Sequence, residues 1–239
     1  MHSPIFGEFL GTAVLVFLGD SVNAGVLLRG SKAENSGWIV ITAGWAFAVF
    51  CGAITAIAFG SSAAHLNPAI TLAAAIQSGD FASVAPFLAA QFAGGFTGAV
   101  LVWLFYFPHW RVTPDPAAKL AIFCTGPAIR SPFWNFFAEA LATAILLLTA
   151  HALTSRVFAS APSVLTPFLV GVIVWSIGLS LGGVTGYAIN PARDLSPRIA
   201  HALLPIHGKG TSDWSYAPIP VLGPLVGALV TGLLLRVAG

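Results

Sequence analysis

The sequence predicts an all-α membrane protein of six transmembrane helices plus two re-entrant half-helices, arranged as an inverted repeat. Three observations carry that prediction. Of the 239 residues, 57% are hydrophobic and only 8% charged, against about 25% charged in an ordinary soluble domain. Six apolar runs have the roughly 20-residue length that crosses a bilayer. The tripeptide Asn67-Pro68-Ala69 recurs as Asn190-Pro191-Ala192, at the matching place in each half.

The apolar runs fall at about 5–28, 37–60, 83–107, 133–154, 164–186 and 217–236. The first starts almost at once and lacks a basic leader, so it reads as a spanning helix and not as a cleaved signal. Pro132 and Pro162 sit just ahead of the fourth and fifth runs, where proline is tolerated at a helix start. Each Asn-Pro-Ala opens a run of about eleven residues. As a helix that is roughly 16 Å, too short for a hydrocarbon core of roughly 30 Å. The connection 108–132 holds much of the remaining polarity and joins the two halves.

The halves repeat, giving one transmembrane domain over 1–239 with copies at about 1–107 and 133–239. Glu8-Phe9-Leu10-Gly11-Thr12 matches Glu139-Ala140-Leu141-Ala142-Thr143, and Ala90-Gln91-Phe92-Ala93-Gly94 matches Gly223-Pro224-Leu225-Val226-Gly227. With the Asn-Pro-Ala pair, three landmarks recur in order at offsets of 131, 123 and 133. Three spans per half is odd, so the second copy enters from the opposite side, and the two half-helices point at each other. Irregular backbone at that depth is tolerated only where it lines a cavity or is buried in protein, so the organisation predicts a pore. Gly7-xxx-Gly11, Gly94-xxx-Gly98, Gly178-xxx-Gly182 and Gly223-xxx-Gly227 are small-residue seams that let helices approach closely in lipid. Trp38, Trp103, Tyr106, Trp110, Trp134, Trp214 and Tyr216 fall at one end of their runs and read as an aromatic belt. With both termini inside, Arg156 and Arg236 alone would be cytoplasmic, so the positive-inside count opposes that orientation.

Charge and motif content exclude several functions. A net charge of +2 with no basic stripe argues against nucleic acid as a partner. Cys51 and Cys124 make neither a disulfide framework nor a metal-ligand spacing. The chain lacks a nucleophile elbow, P-loop, His-rich metal set and dinucleotide fingerprint, so neither enzymatic chemistry nor any cofactor is expected. The asparagines are helix N-caps with proline at the first helical position. Their side-chain oxygens serve the free helix amides, which leaves the NH2 groups as donors to whatever lies beyond. Two such caps, with the positive ends of two helix dipoles, favour a neutral molecule carrying acceptor oxygens and oppose a cation or proton relay.

The paired Asn-Pro-Ala motifs, the paired Glu-xxx-Thr helices and the Ala-Gln/Gly-Pro helices resemble the aquaporin family of major intrinsic proteins over nearly the whole chain. Asn190-Pro191-Ala192-Arg193-Asp194, with Arg198 and Pro220-Val221, resembles the glycerol-conducting aquaglyceroporin branch. The resemblance implies an aromatic/arginine filter to one side of the midplane, carried over by spacing onto Phe47, Gly178, Tyr187 and Arg193. Trp45 takes the place of Phe47 if the second helix aligns with a two-residue gap. Phe47 and Tyr187 depart from the tryptophan and phenylalanine of the family's best-known bacterial glycerol facilitator. The histidine usual in water-selective members is replaced by Gly178, which leaves room for a carbon backbone. Glu8 and Glu139 are expected to bind the re-entrant backbone, His65 to offer its carbonyl and imidazole to the pore, and Asp194 to pair with a basic neighbour. Arg193, a cation at membrane depth, is functional by default.

The resemblance implies passive conduction of glycerol and other small uncharged solutes with water, by a multi-pass homotetramer whose partners are the solutes and the lipid bilayer. A facilitator of neutral lactic acid stays open, because a filter of Phe47 and Gly178 is wide and apolar. A secondary active transporter would need intramembrane coupling acids, for which Glu8 and Glu139 are the candidates.

Overall fold

The computed structural model describes residues 2–153 and 163–238; Arg156 and Pro162 lie outside them. The helices are α1 (Pro4–Leu27), α2 (Trp38–Ala58), α3 (Pro68–Ser78), α4 (Val84–Phe105), α5 (His109–Val112), α6 (Pro116–Phe123), α7 (Pro132–Leu153), α8 (Thr166–Ser180), α9 (Pro191–Leu203) and α10 (Pro218–Ala238). Five of them (α1, α2, α4, α7 and α10) are long and apolar enough to cross a membrane. The remaining expected span, α8, has 15 residues after a 3₁₀ turn at Ser163–Leu165. The run expected to reach 186 leaves the helix at Ser180. Gly186 there adopts φ +84, a left-handed conformation that glycine enters without steric penalty, and the chain turns into the second re-entrant loop.

The half-helices have the expected length, 11 residues for α3 and 13 for α9. They are exchanged between the halves: α3 packs on α10 and α9 on α4. Within each half the same seam recurs, α1 on α4 and α7 on α10. A Cβ on Gly94 would stand 2.3 Å from the Phe9 carbonyl oxygen, and one on Gly227 would stand 2.3 Å from that of Ala140. Only glycine fits backbone approached that closely. Each half-helix also ends on a cation. Arg236 Nη1 donates to the Ile76 carbonyl (3.4 Å) near the end of α3. Lys209 Nζ donates to the carbonyls of His201, Ala202 and Leu204 (2.7, 2.7 and 2.6 Å) at the end of α9. Both placements suit the negative end of a helix dipole.

Two expectations are corrected here. The connection 108–132 is not merely a loop, because it carries α5 and α6. Asp115 caps α6 by accepting from the Ala117 amide (2.8 Å), and Pro116 supplies the fixed first position. The aromatic belt is also thinner than expected. Trp38, Trp134 and Trp214 are exposed, whereas Trp110 and Tyr216 are buried. The connection folds back onto the helices, so Trp110 stacks on Phe123 (5.8 Å) and donates to the Trp103 carbonyl (2.9 Å).

Gly227→Val should destabilise the fold by about 1–3 kcal/mol or more, the range for overpacking a tight interior. A lowered unfolding midpoint in detergent would show it, and an unchanged midpoint would disprove the seam.

Candidate functional site

The two re-entrant loops are held in unusual backbone shapes by acids on the spanning helices. Ala64 and Leu66 in the first loop, and Tyr187 and Ile189 in the second, have φ of +42, +52, +40 and +44. The pairs correspond at the offset of 123 that separates the asparagines. Such non-glycine positions cost of order 1–3 kcal/mol each and persist only when their surroundings over-determine them. Glu8 does so in the first loop. It accepts from the amides of His65 (2.8 Å) and Leu66 (2.7 Å), the Ser61 hydroxyl (2.6 Å) and the Gln91 amide (2.8 Å). Glu139 does so in the second, accepting from the amides of Ala188 (3.0 Å) and Ile189 (2.9 Å) and from the Thr185 hydroxyl.

The asparagines then fasten the loops to each other. Asn67 Oδ1 accepts from the Ala69 amide (2.8 Å), and Asn190 Oδ1 from those of Ala192 (3.0 Å) and Arg193 (3.2 Å). Asn67 Nδ2 donates to the Ile189 carbonyl, and Asn190 Nδ2 to the Leu66 carbonyl, both at 2.8 Å. The NH2 groups are therefore only half free. One N–H of each is spent on the opposite loop, and the other makes no hydrogen bond among the described residues. Pro68, Ala69, Pro191 and Ala192 form the first turns behind these caps.

A cavity of about 740 Å³ runs past the caps, lined by Trp45, His65, Asn67, Tyr187, Asn190 and Arg193 among otherwise largely apolar side chains. His65 Nδ1 lies 3.2 Å from Thr71 Oγ1, with the ring edge-on to Phe87 (5.6 Å). To one side of the caps, the Arg193 guanidinium stands 4.0 Å over the Trp45 ring, within cation–π range. Trp45 is held in turn. Its Nε1 donates to Asn23 Oδ1 (3.1 Å), and Asn23 Nδ2 donates to the carbonyls of Ala121 (3.2 Å) and Ile122 (3.4 Å) on α6.

Phe47 is not in this cavity. It is 52% exposed on the outer face beside Phe50 and Phe168, whereas Trp45 is 3% exposed. Two residues along a helix turn the side chain by about 200°, so only one of the two faces the lumen. Trp45 takes the place assigned to Phe47. Gly178 does not open the lumen directly either. A Cβ there would meet Tyr187 Cζ at 2.9 Å and Oη at 3.0 Å, so the space it vacates is filled by the Tyr187 ring. Trp38 supports that ring edge-on (6.0 Å) and donates to the Gly178 carbonyl (3.0 Å).

Asp194 faces away from the cavity. Its Oδ2 accepts from the Thr125 amide and hydroxyl (both 2.7 Å), and its Oδ1 from Arg198 Nε (3.0 Å) and Nη2 (2.8 Å). Arg198 continues to the carbonyls of Thr125 (3.0 Å) and Ser212 (2.8 Å). This buried pair ties the connection and the loop before α10 onto α9. In that loop burial raises the Asp213 carboxyl's pKa, but Arg130 and Ser215 outweigh it and hold the group below its ordinary value. The Arg130–Asp213 clamp is thus kept at neutral pH and released as pH falls through that lowered value.

The family profile of the major intrinsic proteins matches residues 2–235. The chain belongs to the major intrinsic protein family. Among this family's members, glycerol uptake facilitator protein 3 of Lactiplantibacillus plantarum is 54% identical over 235 residues, covering 98% of this chain and 95% of its own. A probable glycerol uptake facilitator protein of Thermotoga maritima is 50% identical over 230 residues, covering 95% and 96%. The X-ray structure of the aquaglyceroporin from Plasmodium falciparum superposes with a TM-score of 0.82 at 30% identity, covering 95% of this chain and 92% of its own. The chain is accordingly a multi-pass membrane protein of the major intrinsic protein fold.

Reading the sequence missed two supports of this site, Asn23 behind Trp45 and Gln91 behind Glu8, and passed over Asp20, a third acid in the spanning helices. A polar residue inside a long apolar run was the available signal for each.

Two measurements check the geometry. Trp45→Ala should shift the glycerol-to-water flux ratio by about tenfold, the effect of ~1.4 kcal/mol at a barrier, while Phe47→Ala leaves it unchanged; the reverse pattern would restore Phe47 to the filter. Glu139→Gln strands a loop amide and should destabilise by about 1–3 kcal/mol, read as a lower unfolding midpoint with loss of flux.

Proposed function

We propose that this chain is a passive, bidirectional channel conducting glycerol and other small uncharged solutes together with water, while excluding ions and protons. The observation that carries the proposal is the single cavity in which Trp45, Tyr187 and Arg193 flank the free N–H groups of Asn67 and Asn190. A polyol passing through it meets aromatic faces for its CH groups on one side and fixed donors for its hydroxyls on the other. Water and hydroxyl oxygens satisfy those donors, but a cation meets the positive ends of two helices. The names of the relatives, glycerol uptake facilitators at about half identity, support the same solute. Conduction makes and breaks no bond, so the reading assigns no enzymatic activity and no cofactor. It treats the chain as one channel domain of two inverted repeats, assembled as the homotetramer usual in this family.

Neutral lactic acid suited a filter of Phe47 and Gly178; Trp45 stands in the one place and the Tyr187 ring lies against the other, and the flux panel below separates lactic acid from glycerol. The acids expected to serve a coupled transporter, Glu8 and Glu139, are taken up by loop amides, and Asp20 is not among the residues lining the cavity.

Stopped-flow measurement on proteoliposomes tests the reading with glycerol, urea, water and lactic acid at two pH values. Glycerol should equilibrate without an ion gradient and with low temperature dependence; flux that requires a proton gradient would overturn it. Gly178→His pushes Tyr187 into the lumen and should lower glycerol flux at least about tenfold, or ~1.4 kcal/mol, with water flux much less affected. Equal loss of both would remove Gly178 and Tyr187 from the filter.

A further inference from the structure

Four acids are buried among the described spanning and half-spanning helices: Glu8, Asp20, Glu139 and Asp194. Three have their oxygens occupied. Glu8 and Glu139 hold the loops, and Asp194 holds Thr125 and Arg198. Asp20, in α1, is completely buried, and neither carboxylate oxygen meets a hydrogen-bond donor. A carboxylate in that setting is strongly disfavoured unless a charge balances it.

The surroundings supply one. Gly19, its neighbour in sequence, lies against the Trp45 ring so closely that a Cβ would fall 2.4 Å from a ring carbon. Asn23, one turn on, accepts from Trp45 Nε1. Arg193 stands over that same ring at 4.0 Å, and α1 touches α9. Arg193 Nη1 is also buried without a hydrogen-bond partner. Among the described residues, Asp20 and Arg193 are the acid and the cation whose charged atoms are buried and unpartnered. Among the described residues no ion pair joins Asp20 to Arg193, so the balance between them acts through space. Asp194 is itself neutralised by Arg198 at 2.8 Å.

We propose that Asp20 is the counter-charge of Arg193, acting through space and not by direct contact, and that it cancels the guanidinium's charge so that the filter offers donors to neutral solutes without gathering anions. Uncompensated arginine or lysine charge around a narrow lumen excludes cations and, in rings, makes a pore select anions. Asp20 separates the hydrogen-bonding use of Arg193 from that electrostatic effect. The inference rests on the reading of Arg193 as a filter residue.

The test uses the full chain in planar bilayers and proteoliposomes. The unaltered protein should be electrically silent under a potassium chloride gradient. Asp20→Asn should open an anion-selective current whose reversal potential moves to the chloride equilibrium value, while glycerol flux persists; Asp20→Glu should stay silent. Combining Asp20→Asn with Arg193→Gln should abolish the current. In thermal unfolding, Arg193→Gln should lower the midpoint, and adding Asp20→Asn should recover part of the loss. A silent Asp20→Asn channel, a current that survives in the double variant, or additive midpoint shifts would each overturn the proposal. If Asp20→Asn alone does not fold, a double variant that folds supports the pairing and one that does not overturns it. Absence of glycerol flux through the unaltered chain would instead sink the channel reading.

Discussion

Backbone amides inside a bilayer must be satisfied by the protein itself, and two stretches of this chain cross that region without being helical. Both draw on the same solution. A glutamate from the first helix of each half accepts the amides before the asparagine, and the asparagine accepts those after it. The last donors and acceptors are exchanged between the loops, Asn67 to Ile189 and Asn190 to Leu66. Everything functional stands on this arrangement, because it leaves a second N–H on each amide with a fixed direction. A donor that needs no reorganisation when the solute arrives can replace a solvent contact at little entropic loss.

Around that midplane the chain divides its labours. In the proposed channel, hydrogen bonding to solute falls to the asparagines and Arg193, and shape to Trp45 and to Tyr187 over Gly178. The connection that looked like a tether is structural at a distance, since α6 carbonyls hold Asn23, which holds Trp45. Asp194 and Arg198 bind the same connection onto α9.

The repeat, the half-helices and the supporting glutamates were legible in the sequence because each rests on residues with few physical roles. Proline after asparagine opens a helix, the glutamates in apolar runs find loop donors, and glycine every fourth residue marks a seam in α1, α4 and α10, whereas Gly178 and Gly182 pack on the Tyr187 ring. Phe47 was mislaid for the opposite reason. Within α2 nearly every residue is apolar, so nothing in the pattern says which side of the helix meets the lumen, and a two-residue slip turns it to the far side. Trp110 and Tyr216 misled similarly. An aromatic at a helix end suits a lipid interface or a folded-back loop equally well, and tertiary packing decided. Asp20 was visible as a letter, but its isolation depends on which other acids are already occupied, and that is settled only in three dimensions.

The exchange between the loops also bears on how the molecule is made. Leu66 and Asn67 reach the membrane long before Ile189 and Asn190 exist, 123 residues later in the chain. Until then the first loop lacks the carbonyl that Asn67 seeks and the donor that Leu66 requires, and α3 lacks the flank of α10. A nascent first half is therefore an incomplete object in lipid. Its unmet donors and acceptors are satisfied within the protein only when the second half packs against it with opposite sense. The pore closes around itself only once the second re-entrant loop has been made.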